Sequence, residues 1–121
     1  MTHALNQNDR TRASIEAYFD GFNSRDISRM PIGDDVYFKA PVTPEPVIGL
    51  PALRPFLEQV FSTFEKIVVQ RIIVEGEYAS VMLDYHLPGL PPIPMVDLFR
   101  VVDGDVVEIL PYFDTALLPS D

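Results

Sequence analysis

Hydrophobic positions follow a helical period through the first half of the chain and a strand period through the second. Ile15, Tyr18, Phe19 and Phe22 are spaced i, i+3, i+4 and i+7, the stripe of an amphipathic helix with one face in a core. The stripe predicts a helix over about 10–24, with Asn8 or Asp9 as its cap. Asn23-Ser24-Arg25-Asp26 breaks the pattern, and Asp26 is placed to cap a very short second helix that Pro31 and Gly33 end. Val36 to Lys39 reads as a brief strand. The segment PVTPEPVIGLP that follows is dense in proline, which withholds backbone donors, so it is expected to be an ordered loop at the rim of a pocket. Leu53, Phe56, Leu57, Val60, Phe61 and Phe64 then carry the strongest helical period in the chain and predict a helix over about 52–65. Pro51 suits its first turn, whereas Pro55 predicts a start that is loose or slightly late.

Everything beyond that helix is patterned as strand: Ile67 to Glu75, Tyr78 to Leu87, and two β-rich runs inside IPMVDLFRVVDGDVVEILPYFD. Asp103-Gly104 joins those last two runs and favours a type I′ hairpin turn. Four strands in succession imply an antiparallel meander. Helices first and a meander afterwards make an α+β domain, in which a strongly curved antiparallel sheet wrapped around a long helix buries both stripes and leaves a cone with an open mouth. A chain of 121 residues accommodates one such domain, expected over 10–115, with a loose N-terminus at 1–9 and a tail at 116–121.

Composition narrows the function classes. The formal charge is −9, with 9 Lys and Arg against 18 Asp and Glu, which argues against binding nucleic acid. The absence of cysteine removes disulfides, thiolate zinc sites and thiol nucleophiles and fits a cytoplasmic location. No stretch is apolar for long enough to predict a membrane span. With His3 in the loose start and His86 elsewhere, a multi-histidine metal site is not expected, and no serine or threonine sits in a nucleophile elbow. His86 and Asp84 share a strand face that reads as solvated.

The candidate chemistry centres on Asp97, an acid set among Met95, Val96, Leu98 and Phe99, where loss of water raises a carboxyl pKa. Alternation puts Met95, Asp97 and Phe99 on one face, with Ile109, Pro111 and Phe113 on the same face of the next strand. Tyr18 and Phe22 from the first helix, and Phe56 and Val60 from the long one, complete the expected lining. Such a cavity suits a flat or bulky hydrophobic ligand with one carbonyl or hydroxyl.

Four segments, IEAYFDGFNSRD, DDVYFKAPVTPEPVIG, LPALRPFLEQVF and PMVDLFRVVDGDVVEILPYFD, occur in an order and spacing that resembles the nuclear transport factor 2-like superfamily, in particular its ketosteroid isomerase and SnoaL-like (polyketide-cyclase-like) branch. The resemblance covers about 10–115. It implies that Tyr18 and a protonated Asp97 donate hydrogen bonds to a substrate oxyanion. The position of the family's catalytic base is Ala40, and Glu45, farther along the same loop, is the nearest carboxylate. The partners of the corresponding acid in limonene epoxide hydrolase fall at Met95 and Pro111. The single-Asp pattern of polyketide-cyclase-like members fits best. The resemblance further implies cofactor-free acid–base chemistry, and it agrees with a homodimer expected because a small domain seldom leaves the broad outer face of its sheet bare, with Tyr85, Leu110 and Tyr112 as candidate contacts. The alternative on the same fold is a non-catalytic ligand-binding or dimerisation module.

Overall fold

Asn6, two residues ahead of Asn8 and three ahead of Asp9, the expected caps, starts the first helix. Its side chain accepts a hydrogen bond from the Asp9 N–H at 2.8 Å, and helix α1 runs over Gln7–Asn23. The computed structural model describes residues 6–119; residues 1–5 of the expected loose start at 1–9, with His3, and the last tail residues 120–121 lie outside them. Residues 6–9 are therefore part of the fold and not of a loose end.

A 3₁₀ turn over Ile27–Arg29 follows, capped by Asp26 as the sequence predicts. Gly21 makes room for it: a side-chain carbon there would fall 2.5 Å from Met30 Cγ. Strand β1 covers Ile32–Phe38, longer than its apolar tip, and the proline-rich loop contains a two-residue strand, β2, at Val47–Ile48. Helix α2 spans Leu50–Thr63, starting earlier than expected. Gly49, at a positive φ of 89°, turns the chain into it, and its carbonyl accepts from both Ala52 and Leu53, so Pro55 perturbs a turn that is already anchored. The meander is β3 (Lys66–Glu75), β4 (Tyr78–His86), β5 (Ile93–Val102) and β6 (Asp105–Tyr112), and a second 3₁₀ turn covers Thr115–Leu117.

The six strands form one curved, unclosed sheet in the order β2-β1-β6-β5-β4-β3. The β3 to β6 pairings are antiparallel, as expected, whereas β1 joins β6 in parallel. Strand β2, helix α2 and strands β3 to β5, which lie between β1 and β6, supply the long crossover that parallel pairing requires. Register shifts that leave Gln70 of β3 and Val107 of β6 as extra residues mark the irregularities that add twist and curvature. At the β5–β6 turn both Asp103 (φ 51°) and Gly104 (φ 84°) are left-handed, as a type I′ turn requires.

Helix α1 lies in the concave face and is tied to the sheet at three places. Thr11 Oγ1 donates to the Gly76 carbonyl at 2.7 Å, while Asn8 Oδ1 accepts from the Gly76 N–H at 2.7 Å. Ser14 Oγ donates to the Gly104 carbonyl at 2.8 Å. At the other end Asn23 pairs with the backbone of Ile67, donating at 3.0 Å and accepting at 2.8 Å, so its amide covers exposed backbone of the edge strand β3. Hydroxyls at Thr11 and Ser14 thus stand on the buried helix face because each closes a hairpin turn. The core joins Ile15 and Phe19 of α1 to Leu53 and Leu57 of α2 and to Val36, Val81, Phe99 and Ile109 of the sheet.

Candidate active site

Alternation along β4, β5 and β6 decides which side chains meet. Asp97 is paired with Val81 on one side and Pro111 on the other, and Met95 with Leu83, so all of these point into the concave face. Pro111 is tolerated in β6 because its nitrogen points towards β1 beyond the last β1 partner, Ile109, where no ladder bond is available. Tyr18 reaches the same place from α1, held edge-on by Phe19 at 5.0 Å and Phe99 at 5.1 Å between ring centroids.

The result is a cavity of about 150 Å³. Of the expected lining residues, Tyr18, Phe22, Phe56 and Val60 from the helices and Met95, Asp97, Pro111 and Phe113 from the sheet surround it. Phe99 and Ile109 do not: both are fully packed in the core beneath it, Phe99 against Tyr18 and Phe19, since the sheet's curvature takes that end of β5 and β6 under α1. Ala40 and Val42 of the proline-rich segment also line the cavity, whereas Glu45 is exposed and stays outside. Thr43 fixes the Ala40 backbone, its Oγ1 accepting from the Ala40 N–H at 3.0 Å and donating to the Ala40 carbonyl at 2.9 Å.

Tyr85 corrects an expectation. It is not on the outer face but lines the cavity, stacked on Phe64 at 5.9 Å, and burial pushes its hydroxyl pKa up to about 12. Its parity with Val81 and Leu83 was the signal that places it inside. Leu118, which the sequence left in a tail, also lines the cavity, and no local pattern predicts this. Asp84 and His86 take the opposite parity, and Asp84 Oδ2 accepts from Gln70 Nε2 at 2.9 Å.

Asp97 is the anomaly of the interior. Only 5% of it is exposed, and its Oδ1 has no hydrogen-bond partner among the described residues. Burial pushes its pKa from 3.8 up to about 7. Arg100, three residues on, has opposite parity and pairs with Glu77 at 2.8 Å on the outer face, so it does not offset this. The Tyr18 hydroxyl pKa is also well raised, first by burial and then by the charge that Asp97 carries when ionised. Near neutrality the site therefore presents a phenol O–H and a carboxyl shared between its two protonation states, surrounded by apolar walls. Among the described residues no three His, Asp or Glu side chains converge as a metal site.

The family model described as a SnoaL-like domain matches residues 15–109. The chain belongs to the SnoaL-like domain family. This SnoaL-like domain is similar to a ketosteroid isomerase-like protein from Kribbella flavida DSM 17836, with 25% identity over 98% of this chain and 87% of that one and a TM-score of 0.82. An LEH-like epoxide hydrolase from M. tuberculosis shares 16% identity over 93% and 88% of the two chains, TM-score 0.78. A SnoaL-like polyketide cyclase-type protein from Jannaschia Sp. CCS1 shares 20% over 99% and 100%, TM-score 0.75. At these two lower identities the likeness is one of fold. No curated protein matches the chain.

The raised acid sets a pH dependence. Between pH 4 and 7 folded Asp97 keeps a proton that the unfolded chain has released, so wild-type stability falls through this window and levels off above it. Asp97→Asn removes the titration. Relative to wild type, the variant should gain stability from pH 4 to pH 8 by up to about 4 kcal/mol, some three pH units at 1.36 kcal/mol each. Urea unfolding of both proteins across that range measures it; a wild-type-to-variant difference that does not vary with pH would contradict the assignment.

Proposed function

We propose that this SnoaL-like domain is a small-molecule enzyme of the ketosteroid isomerase-like and polyketide cyclase-like type, acting on a hydrophobic carbonyl compound by cofactor-free acid–base chemistry without the usual first-strand aspartate. The observation that carries this reading is Asp97, a buried carboxyl with one oxygen unpartnered, on the wall of the cavity that Tyr18 also lines. A carbonyl oxygen placed there accepts from the Tyr18 hydroxyl and from the neutral Asp97 carboxyl. Both donors then polarise the carbonyl and stabilise negative charge that develops on its oxygen. With a pKa near neutrality, the fraction of Asp97 that is ionised can instead take a substrate proton and return it, with Tyr18 left as the donor to the oxygen, which fits isomerisation or ring closure.

A second reading rests on Ala40. It is buried on the cavity wall at the position where the resemblance places the base, and a methyl group removes no proton. On this reading the domain binds a hydrophobic carbonyl compound and leaves it unchanged.

The proposal includes a homodimer formed through the outer sheet face, in a cytoplasmic setting that the cysteine-free composition favours. Val96 and Tyr112 are cross-strand partners on that face, 37% and 54% exposed, next to the paired Leu98 and Leu110. Apolar surface of this kind on a small domain favours association.

Conversion of a β,γ-unsaturated cyclohexenone to its conjugated isomer separates the readings. An enzyme gives a wild-type rate at least about 100-fold above Asp97→Asn, the effect of losing one acid or donor; a binding module gives rates equal to buffer for both. Ala40→Asp should raise the rate at least about tenfold, and only with Asp97 present. No gain would mean that Ala40 does not face the reacting carbon. For the dimer, light scattering should return twice the chain mass, and Val96→Arg combined with Tyr112→Glu should halve it. A monomer at all concentrations would remove the dimer from the proposal.

A further inference from the structure

The cavity's size is a separate constraint on its ligand. At about 150 Å³ the cavity is the size of an apolar protein cavity that takes up one benzene ring, and it opens to solvent at its mouth. Its inner wall is braced against expansion. Phe22 meets Phe61 edge-on at 5.2 Å and Phe64 at 5.0 Å, and the Arg25 guanidinium lies 4.4 Å over the Phe64 ring. That guanidinium is itself fixed by the carbonyls of Phe61, Phe64 and Glu65, at 3.2, 2.9 and 3.0 Å. On the opposite side Phe38 packs on Phe56 at 5.1 Å. An interlocked aromatic wall of this kind does not yield to a larger ligand without loss of packing.

The mouth is built differently. Val42, 47% exposed, comes from the proline-rich loop, and the half-buried Leu118 caps the C-terminal 3₁₀ turn; both line the cavity while keeping part of their surface in solvent, which places them at its rim. The turn is closed by its own bonds: Asp114 Oδ1 accepts from the Ala116 N–H at 2.9 Å, and the Leu117 and Leu118 N–H groups donate to the carbonyls of Asp114 and Thr115 at 3.1 Å each. These bonds hold the backbone in the conformation that delivers Leu118 to the cavity.

We propose that the ligand is a neutral single-ring molecule with one acceptor oxygen, and that Leu118 and Val42 set this limit at the cavity mouth. The acceptor oxygen rests on the donor pair of the proposed function; the ring count rests on the cavity and its mouth.

Titration calorimetry with phenol, naphthol and a four-ring phenolic steroid tests it. Wild type should bind phenol at least roughly tenfold more tightly than the steroid, against the trend that added apolar surface would give. Leu118→Ala with Val42→Ala should raise the naphthol-to-phenol affinity ratio at least roughly tenfold, and Leu118→Phe should lower it. Steroid binding as tight as phenol, weakened in both cases by Asp97→Asn, would overturn the size limit and leave the donor pair standing. An unchanged ratio in both mouth variants would overturn the role of Leu118 and Val42. If no phenol binds any variant, the donor-pair reading falls, and this inference with it.

Discussion

A carboxyl group buried with one oxygen unpartnered is the constraint around which this domain is arranged. An ionised carboxylate in that position would cost several kcal/mol, and the protein meets the cost by holding the proton up to about pH 7. The neighbours are consistent with that solution. Met95 and Pro111 flank Asp97 with apolar surface, and Arg100, the basic residue closest in sequence, is turned outward by strand alternation and paired with Glu77. A cation inside the cavity would lower the pKa of Asp97 and abolish its ability to donate at neutral pH. For the proposed function, the apolar lining is therefore a condition for the acid's chemistry as well as for ligand binding.

The support for that geometry comes from α1. Its buried hydroxyls close two hairpin turns and its terminal Asn23 covers the edge of the sheet, so the helix carrying Tyr18 is tied to the sheet carrying Asp97 at both ends. Two donors on separate elements remain aligned only if those elements do not slide. In the same way, Arg25 holds the C-terminal end of α2 and the Phe64 ring, and through them the Phe22 and Tyr85 walls.

Much of this was legible in the sequence, for identifiable reasons. Long periodic stripes decide which faces are buried, so both main helices, the meander and the Asp103-Gly104 turn follow from local patterns. Asp97 and Tyr18 stand out because an acid in an apolar strand and a phenol in a helical stripe converge once parity is applied. Features that depend on tertiary contacts were not legible. The cap moved to Asn6 because Asn8 is used by the β3–β4 turn, and the parallel β1–β6 pairing depends on the whole intervening chain. Phe99 and Ile109 have the right parity for the cavity yet lie beneath it, since alternation assigns a face but not a depth along a curved sheet. Tyr85 was misplaced outward although its parity pointed inward, and Leu118 reaches the site from a segment with no period at all.

The central claim is that Asp97 is held as a neutral donor by its surroundings, and it is most directly tested by a carbon-detected NMR titration of the Asp97 carboxyl, assigned by comparison with Asp97→Asn. The account predicts a midpoint near pH 7, because burial of the group disfavours its charged form. A midpoint near the ordinary value of about 4 would contradict it, leaving Asp97 ionised at neutral pH and unable to donate to a ligand oxygen.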